Sequence, residues 1–230
     1  MKFVFLNLYY GGFEKELIEF INEQKTSTDV FCFQESSDKL QKIFETVLSE
    51  YTNENVQEFK EIDDGYFVST YVKNRYKILK HVPLFADEKM LGLGQKSTIS
   101  NNFITLTIDN IHGVWKPEGS KEDTNDRLKQ SNELVKRNGL SGEIKIVGGD
   151  FNLNQETESI KIFEKNGYVN LIKKFGIKTT RNEYAWKDYP NNKHYFSDYV
   201  FVSPEVRVKS FEVPEMTISD HLPMILEIED

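Results

Sequence analysis

Residues 2–36 read KFVFLNLYYGGFEKELIEFINEQKTSTDVFCFQES and contain the clearest secondary-structure pattern of the chain. Lys2–Tyr9 is rich in β-forming residues and precedes a Gly-Gly pair, which predicts a strand and a turn. Phe13–Glu23 repeats apolar residues at helical spacing, and Asp29–Gln34 is an apolar run typical of a strand covered on both faces. With a further helix predicted next, we expect two parallel strands at the centre of a sheet.

The same patterns assign elements along the rest of the chain. Helical spacing predicts helices over Ser37–Leu48, Glu122–Arg137 and Ser159–Lys165. Strands without long helices between them, and hence antiparallel, are predicted over Gly65–Lys73, Tyr76–Val82 and Ser97–Ile108. Another strand is predicted over Glu143–Val147, and a second group of strands is completed by Phe196–Val202, Val206–Val213 and Pro223–Ile228.

Two β-rich halves with interspersed helices indicate an α/β protein. We expect two packed, mixed or antiparallel sheets that are covered on the outside by helices. No repeat, Pro/Ser-rich linker or abrupt change in composition divides the 230 residues. We therefore expect a single catalytic domain over residues 1–230.

Charge and composition exclude several classes of protein. The chain has 37 Asp and Glu against 29 Lys and Arg, and its net charge of −8 argues against a protein that holds nucleic acid by bulk positive charge. An enzyme that meets phosphate through a bound cation stays open. Cys32, the one cysteine, lies in an apolar run and is expected to be a buried, inert thiol. No run approaches the ~20 apolar residues of a membrane span, so we expect no membrane partner. We also expect a cytoplasmic location and a monomer.

Compact polar side chains follow the predicted strands, where sheet proteins commonly build sites. The residues concerned are Asn7, Gln34, Glu35, His112, Asp150, Asn152, Asp198, Asp220 and His221. Each of four has a simpler interpretation. Glu35 suits a solvated strand end, Asp150 a turn, Asn152 the N-cap of a following helix, and His112 a structural histidine.

The pair Asp220-His221 is harder to explain in that way. It combines a metal ligand with a proton-transfer or phosphate-stabilising group, and Asp198 is able to orient the imidazole. Glu35, Asp150 and Asp220 add three carboxylates to the amides Asn7 and Asn152. An oxygen-rich set of this kind suits Mg²⁺ or Mn²⁺.

Six segments in order, FLNLYY, FCFQES, NIHG, IVGGDFNLN, FSDYVFVS and ISDHLP, resemble the signature segments of the endonuclease/exonuclease/phosphatase superfamily of deoxyribonuclease I-like enzymes. The resemblance runs from the first predicted strand to the last. It implies a four-layer α/β sandwich and metal-dependent cleavage of phosphate esters.

The resemblance also implies roles for individual residues. Glu35 would be the main metal ligand, with Asn7 beside it and Asp220 helping to hold the ion. Asp150 would orient or deprotonate the attacking water or assist the leaving oxygen, and Asn152 would position the substrate phosphate. The remaining roles fall to His221, oriented by Asp198 and acting on the phosphoryl group, and to His112, which would donate to a phosphate oxygen.

Three functions follow as hypotheses. The first is a Mg²⁺- or Mn²⁺-dependent phosphodiesterase, with nuclease action on DNA or RNA as its favoured form. The second is a phosphomonoesterase or small-molecule phosphodiesterase for nucleotides, sugar phosphates or inositol phosphates, and the third is a catalytically silent binding protein. Arg127, on the helix after the His112 loop, is a candidate for binding substrate, although an exposed helix face with ordinary ion pairs explains it equally well.

Overall fold

A computed structural model describes residues 1–57, 66–116, 119–138, 144–187 and 190–229. Their strands are β1 Lys2–Asn7, β2 Val30–Ser37, β3 Tyr51–Gln57, β4 Tyr66–Lys73, β5 Lys77–Leu84, β6 Leu93–Ser100, β7 Thr105–His112, β8 Ile144–Asp150, β9 Val169–Asn170, β10 Asp198–Val202, β11 Val208–Glu212 and β12 Met224–Ile228. Their α-helices are α1 Glu14–Gln24, α2 Asp38–Val47, α3 Asn125–Asn138, α4 Glu158–Lys165 and α5 Leu171–Lys174. Short 3₁₀ helices span Tyr9–Gly11, Lys89–Leu91 and Glu183–Trp186.

The first sheet has the strand order β11-β12-β1-β2-β4-β3. Its central strands β1 and β2 run parallel, and the other neighbours are antiparallel, which confirms the prediction from residues 2–36. Apolar residues of α1 and α2, among them Leu17 and Phe44, pack with Phe31 and Phe33 of β2. Ser37 caps α2 by accepting a hydrogen bond from the backbone N–H of Leu40.

The second sheet has the order β5-β6-β7-β8-β10-β9, with β7 and β8 parallel. The main core cluster contains side chains of both sheets, for example Phe5 of β1 and Ile146 of β8. The two sheets approach closely at Gly148, where an added Cβ would lie 2.7 Å from the Phe5 ring. Helices flank this pair of sheets, so the predicted α/β sandwich is confirmed.

Buried polar side chains join the two sheets near the end of β2. Gln34 and Asn110 are both fully buried, and the Gln34 side-chain amide donates to Asn110 Oδ1 at 2.5 Å. Asn110 Nδ2 in turn donates to the backbone carbonyls of Phe33 and Ser69 at 3.2 and 3.0 Å. These bonds fix how the strand end that carries Glu35 lies against the second sheet.

Three details of the predicted strands are wrong. The run Ser97–Ile108 is two strands, β6 and β7, that are separated by a turn in which Asn101 Oδ1 accepts from Phe103 N and Ile104 N. Strand β3 was not predicted. The final strands do not form one group, because β10 joins the second sheet whereas β11 and β12 return to the first.

Two predicted boundaries, at Gly65 and Glu143, lie outside the described residues. Among the described residues, none of the helices combines the length and hydrophobicity that crossing a membrane requires. Cys32 is buried, and burial raises the pKa of its thiol, which keeps it protonated and unreactive.

Candidate active site

Strand register aligns three of the predicted site residues in the second sheet. His112 of β7 pairs with Asp150 of β8, and Asp150 pairs with Asp198 of β10. Gly149 precedes Asp150 at a φ of 132°, and an added Cβ there would lie 2.1 Å from the Ile111 carbonyl oxygen. Only glycine therefore allows the close approach that places these strand ends side by side.

A cleft of about 560 Å³ opens beside these strand ends. It is lined by most of the predicted site residues together with aromatic and basic side chains. The lining residues are Tyr9, Tyr10, Glu35, Trp115, Gly119, Lys121, Asp150, Asn152, Arg181, Ala185, Asn192, His194, Asp220 and His221.

Glu35 enters the cleft from an irregular position in β2. The pairing of β2 with β4 shifts register between Phe33 and Ser36, and Glu35 has a φ of 52°. A positive φ is uncommon for a residue other than glycine and is found preferentially at functional sites. Glu35 is thus part of a bulge and not a regular, solvated strand end.

Asn7 joins the two sheets through its side-chain amide. Its Nδ2 donates to Glu35 Oε1 at 2.9 Å and to Asp150 Oδ2 at 3.0 Å. Its Oδ1 accepts from the backbone N–H of Tyr9 at 3.0 Å, which fixes the orientation of the amide. His112 Nε2 lies 3.4 Å from Glu35 Oε1. Burial raises the pKa of Glu35, but His112 and Asn7 outweigh it, so the net shift is downward and the carboxylate stays ionised.

Asp150 is the most highly bonded carboxylate of the cleft. In addition to the bond from Asn7, its Oδ1 accepts from Ser197 Oγ at 2.6 Å and from the backbone N–H of Asn152 at 2.8 Å. Burial raises the pKa of Asp150, but nearby positive charges lower it by more than burial raises it, so the pKa lies well below its usual value. These charges belong to His221, Lys121, His112 and Arg181. Asp150 is therefore a buried acceptor and not a solvated turn residue.

His221 and Asp198 form a buried pair. The carboxylate oxygens of Asp198 both lie 2.9 Å from His221 Nδ1. An ionised carboxylate only accepts, so Nδ1 carries the proton and Nε2 is left at 3.7 Å from both Asp150 Oδ2 and Asp220 Oδ1. Burial and Arg181 lower the pKa of His221, but the carboxylates of Asp198, Asp220 and Asp150 outweigh them and raise it.

Asp220 is held by an arginine that the sequence analysis missed. Arg181 Nη2 donates to Asp220 Oδ2 at 2.6 Å, and Arg181 forms an isolated β-bridge with His221. Arg181 lies in a loop without a periodic or motif-like pattern, so its sequence gave no signal. The ion pair occupies one oxygen of a carboxylate that we expected to help hold a metal ion.

Lys121 is a second basic residue that was not predicted. It is 8% exposed, and its Nζ donates to Asn152 Oδ1 and to Ser197 Oγ, the hydroxyl that bonds Asp150. Asn152 has a φ of 56°, and α4 begins only at Glu158, so Asn152 is not a helix N-cap. Lys121 instead holds the Asn152 side chain at the cleft.

Arg127 does not line the cleft. Its side chain is fully buried, and its guanidinium donates to the backbone carbonyls of Val114, Ser120 and Glu122. Its guanidinium therefore joins the backbone at Val114 to the backbone at Ser120 and Glu122. The exposed helix face expected at this position is wrong because the side chain is buried, and the substrate contact of Arg127 stays a prediction.

The donor set fits a hard divalent cation. Among the described residues, Glu35, His112 and Asp150 offer ligand atoms that all lie within 4.8 Å of one another, as do Asp150, Asp198 and His221. Glu35 and Asp150 are ionised carboxylates that share the Asn7 amide as a donor. Two close carboxylates favour Mg²⁺ or Mn²⁺ over a thiolate-seeking metal.

We expect the unfolding free energy of the metal-free protein to rise with pH because of Lys121. Burial lowers its pKa from 10.5 to about 8, with a smaller opposing effect from Asp150. In this range the unfolded chain binds more protons than the folded chain, so deprotonation relieves the cost of a buried ammonium group. From pH 7 to 9.5 the wild type should gain about 2 kcal/mol relative to Lys121→Met. Urea unfolding in EDTA measures the difference, and parallel curves would contradict it.

The family model for the endonuclease/exonuclease/phosphatase family matches residues 6–221. No curated protein sequence matches the chain. Solved structures with the same fold include a mannosyl-6-phosphatase of Bacteroides thetaiotaomicron (16% identity, 100% of both chains, TM-score 0.76). A second is the human nocturnin catalytic domain with bound sulfate (18% identity, 100% of this chain and 93% of that chain, TM-score 0.71). A third is D. rerio TDP2 with a single-stranded DNA product (15% identity, 100% of this chain and 99% of that chain, TM-score 0.73). At these identities the likeness shows the fold alone.

Proposed function

The chain belongs to the endonuclease/exonuclease/phosphatase family, and from this premise we propose that it hydrolyses phosphate esters by metal-assisted attack of water. One observation carries the proposal. Asn7 and Glu35 of the first sheet meet Asp150 of the second sheet, beside the imidazole of His221 that Asp198 orients. Glu35, Asp150 and His221 line the same cleft. A buried carboxylate pair beside an oriented imidazole matches what phosphoryl chemistry requires.

The bound cation would be held by Glu35, with Asn7 and Asp150 beside it. A divalent ion supplies neutralisation of the phosphate and stabilisation of the charge that develops on its oxygens. Arg181 binds Oδ2 of Asp220, so Asp220 would contact the ion through its other carboxylate oxygen, Oδ1. We propose that the ion is Mg²⁺ or Mn²⁺.

The protein groups have complementary tasks. Asp150 stays ionised because its pKa is lowered, and as a carboxylate it accepts a hydrogen bond from the attacking water and so orients that water. His221 has a raised pKa and turns Nε2 away from Asp198, so it donates to a phosphoryl oxygen. Two further side chains would position the other phosphate oxygens. One is Asn152, which Lys121 holds, and the other is His112, whose Nε2 lies 3.4 Å from Glu35 Oε1.

Phosphodiesters, DNA and RNA among them, are the first substrate class that we propose. A second candidate is a phosphomonoester or small-molecule diester, and the basic pair Lys121 and Arg181 favours it. Both cations line the cleft, and a terminal phosphate carries more charge and one more free oxygen than an internal diester. If the protein cleaves no phosphate ester, the third hypothesis, a catalytically silent binding protein, is favoured.

A substrate panel tests the function. Plasmid DNA, RNA, bis(p-nitrophenyl) phosphate and p-nitrophenyl phosphate would be incubated with Mg²⁺, with Mn²⁺ and with EDTA. We expect hydrolysis of at least one ester with either metal and none with EDTA, because carboxylates alone do not neutralise the phosphate. Metal-replete protein that cleaves none of them would overturn the proposed activity, and activity retained in EDTA would overturn the metal requirement.

Glu35→Gln is expected to weaken metal binding. The substitution keeps the size of the side chain and removes the charge that a hard cation prefers, so the Mg²⁺ concentration for half-maximal activity should rise by about tenfold or more. The measurement is a Mg²⁺ titration of the initial rate, with Glu133→Gln as the control, since Glu133 is a half-buried glutamate of α3 that does not line the cleft. An unchanged titration curve would remove Glu35 from the metal site.

A further inference from the structure

Three exposed aromatic side chains are among the residues that line the cleft. Tyr9, Tyr10 and Trp115 all line it, and they are 45, 43 and 63% exposed. Tyr9 and Tyr10 follow Asn7 in sequence, and Trp115 follows His112, so each ring is attached within three residues of a group of the reactive centre. Large aromatic side chains left at the surface around one cavity are typical of ligand contact.

The backbone of the two tyrosines provides an independent observation. Tyr9 has a φ of 45° and Tyr10 a φ of 56°, a left-handed conformation that is rare for bulky residues and unusual at two positions in succession. The Tyr9 N–H bonds the Oδ1 of Asn7, the same amide that joins Glu35 to Asp150. The strained turn is therefore held by the reactive centre and fixes the rings relative to it. Tyr10 is supported further by Tyr66, whose ring centroid lies 4.1 Å away.

The surroundings of the rings select among ring-bearing ligands. A lipid or other apolar group is disfavoured, because Lys121, Arg181 and the carboxylates line the rest of the same cleft. A planar, polar ring joined to a phosphate satisfies both parts, with its faces on the aromatic side chains and its phosphate among the charged groups. Bases in a duplex are already stacked, and the net charge of −8 opposes a long polyanion.

We propose that Tyr9, Tyr10 and Trp115 form a subsite for an unpaired nucleobase, so that the substrate is a nucleotide or the end of a single strand. This proposal rests on the proposed function, because the phosphate of that ligand is the one to be hydrolysed. The three residues are binding residues, and none of them takes part in the chemical step.

Binding separates the subsite from catalysis. The His221→Ala variant would be titrated in Mg²⁺ with adenosine 5′-monophosphate and with ribose 5-phosphate, which share the phosphate and differ in the base. We expect the nucleotide to bind about tenfold more tightly, the effect of stacking one base. Trp115→Ala or Tyr10→Ala in the same background should remove most of this preference and leave ribose 5-phosphate unchanged, whereas Trp115→Phe should keep it. Phe103→Ala, at a 91% exposed ring outside the cleft lining, is the matched control.

The outcomes are distinct. Equal affinities for the two probes, no binding of either, or a base preference that survives both alanine variants would overturn the subsite. A five-nucleotide single strand and its duplex distinguish the sources of the base, and a duplex that binds as tightly as the single strand would also overturn it. A base preference in binding without hydrolysis of any ester by the wild type would uphold the subsite and refute the proposed function.

Discussion

His221→Ala should lower kcat by about 10³-fold, within the range found for removal of a general acid or base. The imidazole is held by Asp198 through Nδ1, so Nε2 remains to meet a phosphoryl oxygen. The carboxylates of Asp198, Asp220 and Asp150 raise its pKa and so favour the protonated form, in which Nε2 is a donor. No other described side chain in the cleft bonds Asp198, so a neighbour does not replace the missing donor in the same orientation.

The measurement is the initial rate on the best ester of the panel, with melting temperature as the test of folding. His81→Ala is the matched control, since His81 lies on β5 and does not line the cleft. Asp198→Asn should give a smaller loss and a lower apparent pKa in the pH–rate profile, because Asp198 raises the pKa of His221. A His221→Ala variant within tenfold of the wild-type kcat would exclude the proposed role.

Asp150→Asn should also lower kcat by about 10³-fold, the order expected for loss of a positioned catalytic group. The carboxylate of Asp150 accepts hydrogen bonds from Asn7, Ser197 and the backbone N–H of Asn152. In the asparagine variant one of the two acceptor oxygens becomes an NH₂ group, which faces a donor and cannot accept its hydrogen bond. The variant therefore loses both the negative charge and the geometry that orient the attacking water. We expect KM to change much less than kcat, because Asp150 is proposed to contact water and not the substrate.

Asp29→Asn separates this effect from loss of any buried carboxylate. Asp29 is 2% exposed, accepts from Lys2 N and pairs with Arg75, away from the cleft. The Asp29→Asn variant should lose stability and keep activity.

The acid unfolding of the metal-free protein also depends on Asp150. Its pKa in the folded protein lies below its pKa in the unfolded chain, so the ionised form stabilises the fold above about pH 4 and this stabilisation is lost on acidification in EDTA. Asp150→Asn should therefore flatten the acid limb of unfolding, and an unchanged limb with full activity would refute both expectations.

Regular hydrophobic patterns made the first half of the fold predictable. The parallel pair β1 and β2 follows from period and apolar runs, since both strands are buried on two faces. Strand β3 escaped because YTNENVQ is a polar edge strand that pairs only with β4. Strands β6 and β7 were merged because Asn101 makes their turn through its side chain, without the Gly-containing pair that usually marks a hairpin.

The candidate site divides in the same physical way. Strand-end residues such as His112 and Asp150 were predictable because register sets them beside one another. Lys121 and Arg181 were not, because isolated basic residues in loops acquire a role only through long-range contacts with Asn152 and Asp220. The burial of Arg127 was not predictable either, because nothing in a helical pattern shows that its guanidinium bonds backbone carbonyls outside the helix. The predictions of a monomer and of a cytoplasmic location stay predictions.

The Asn7 amide bridges groups that are 28 and 143 positions away in sequence, and the Ser219 hydroxyl closes the same region by bonding the Asn7 carbonyl. Contacts of such long range form late when a chain folds, because closing large loops costs entropy before the contacts stabilise them. Helices α1 and α2 need only local contacts and are expected to form earlier. During refolding, far-ultraviolet circular dichroism should therefore recover before enzymatic activity, which makes activity a reporter of the final docking of the two sheets.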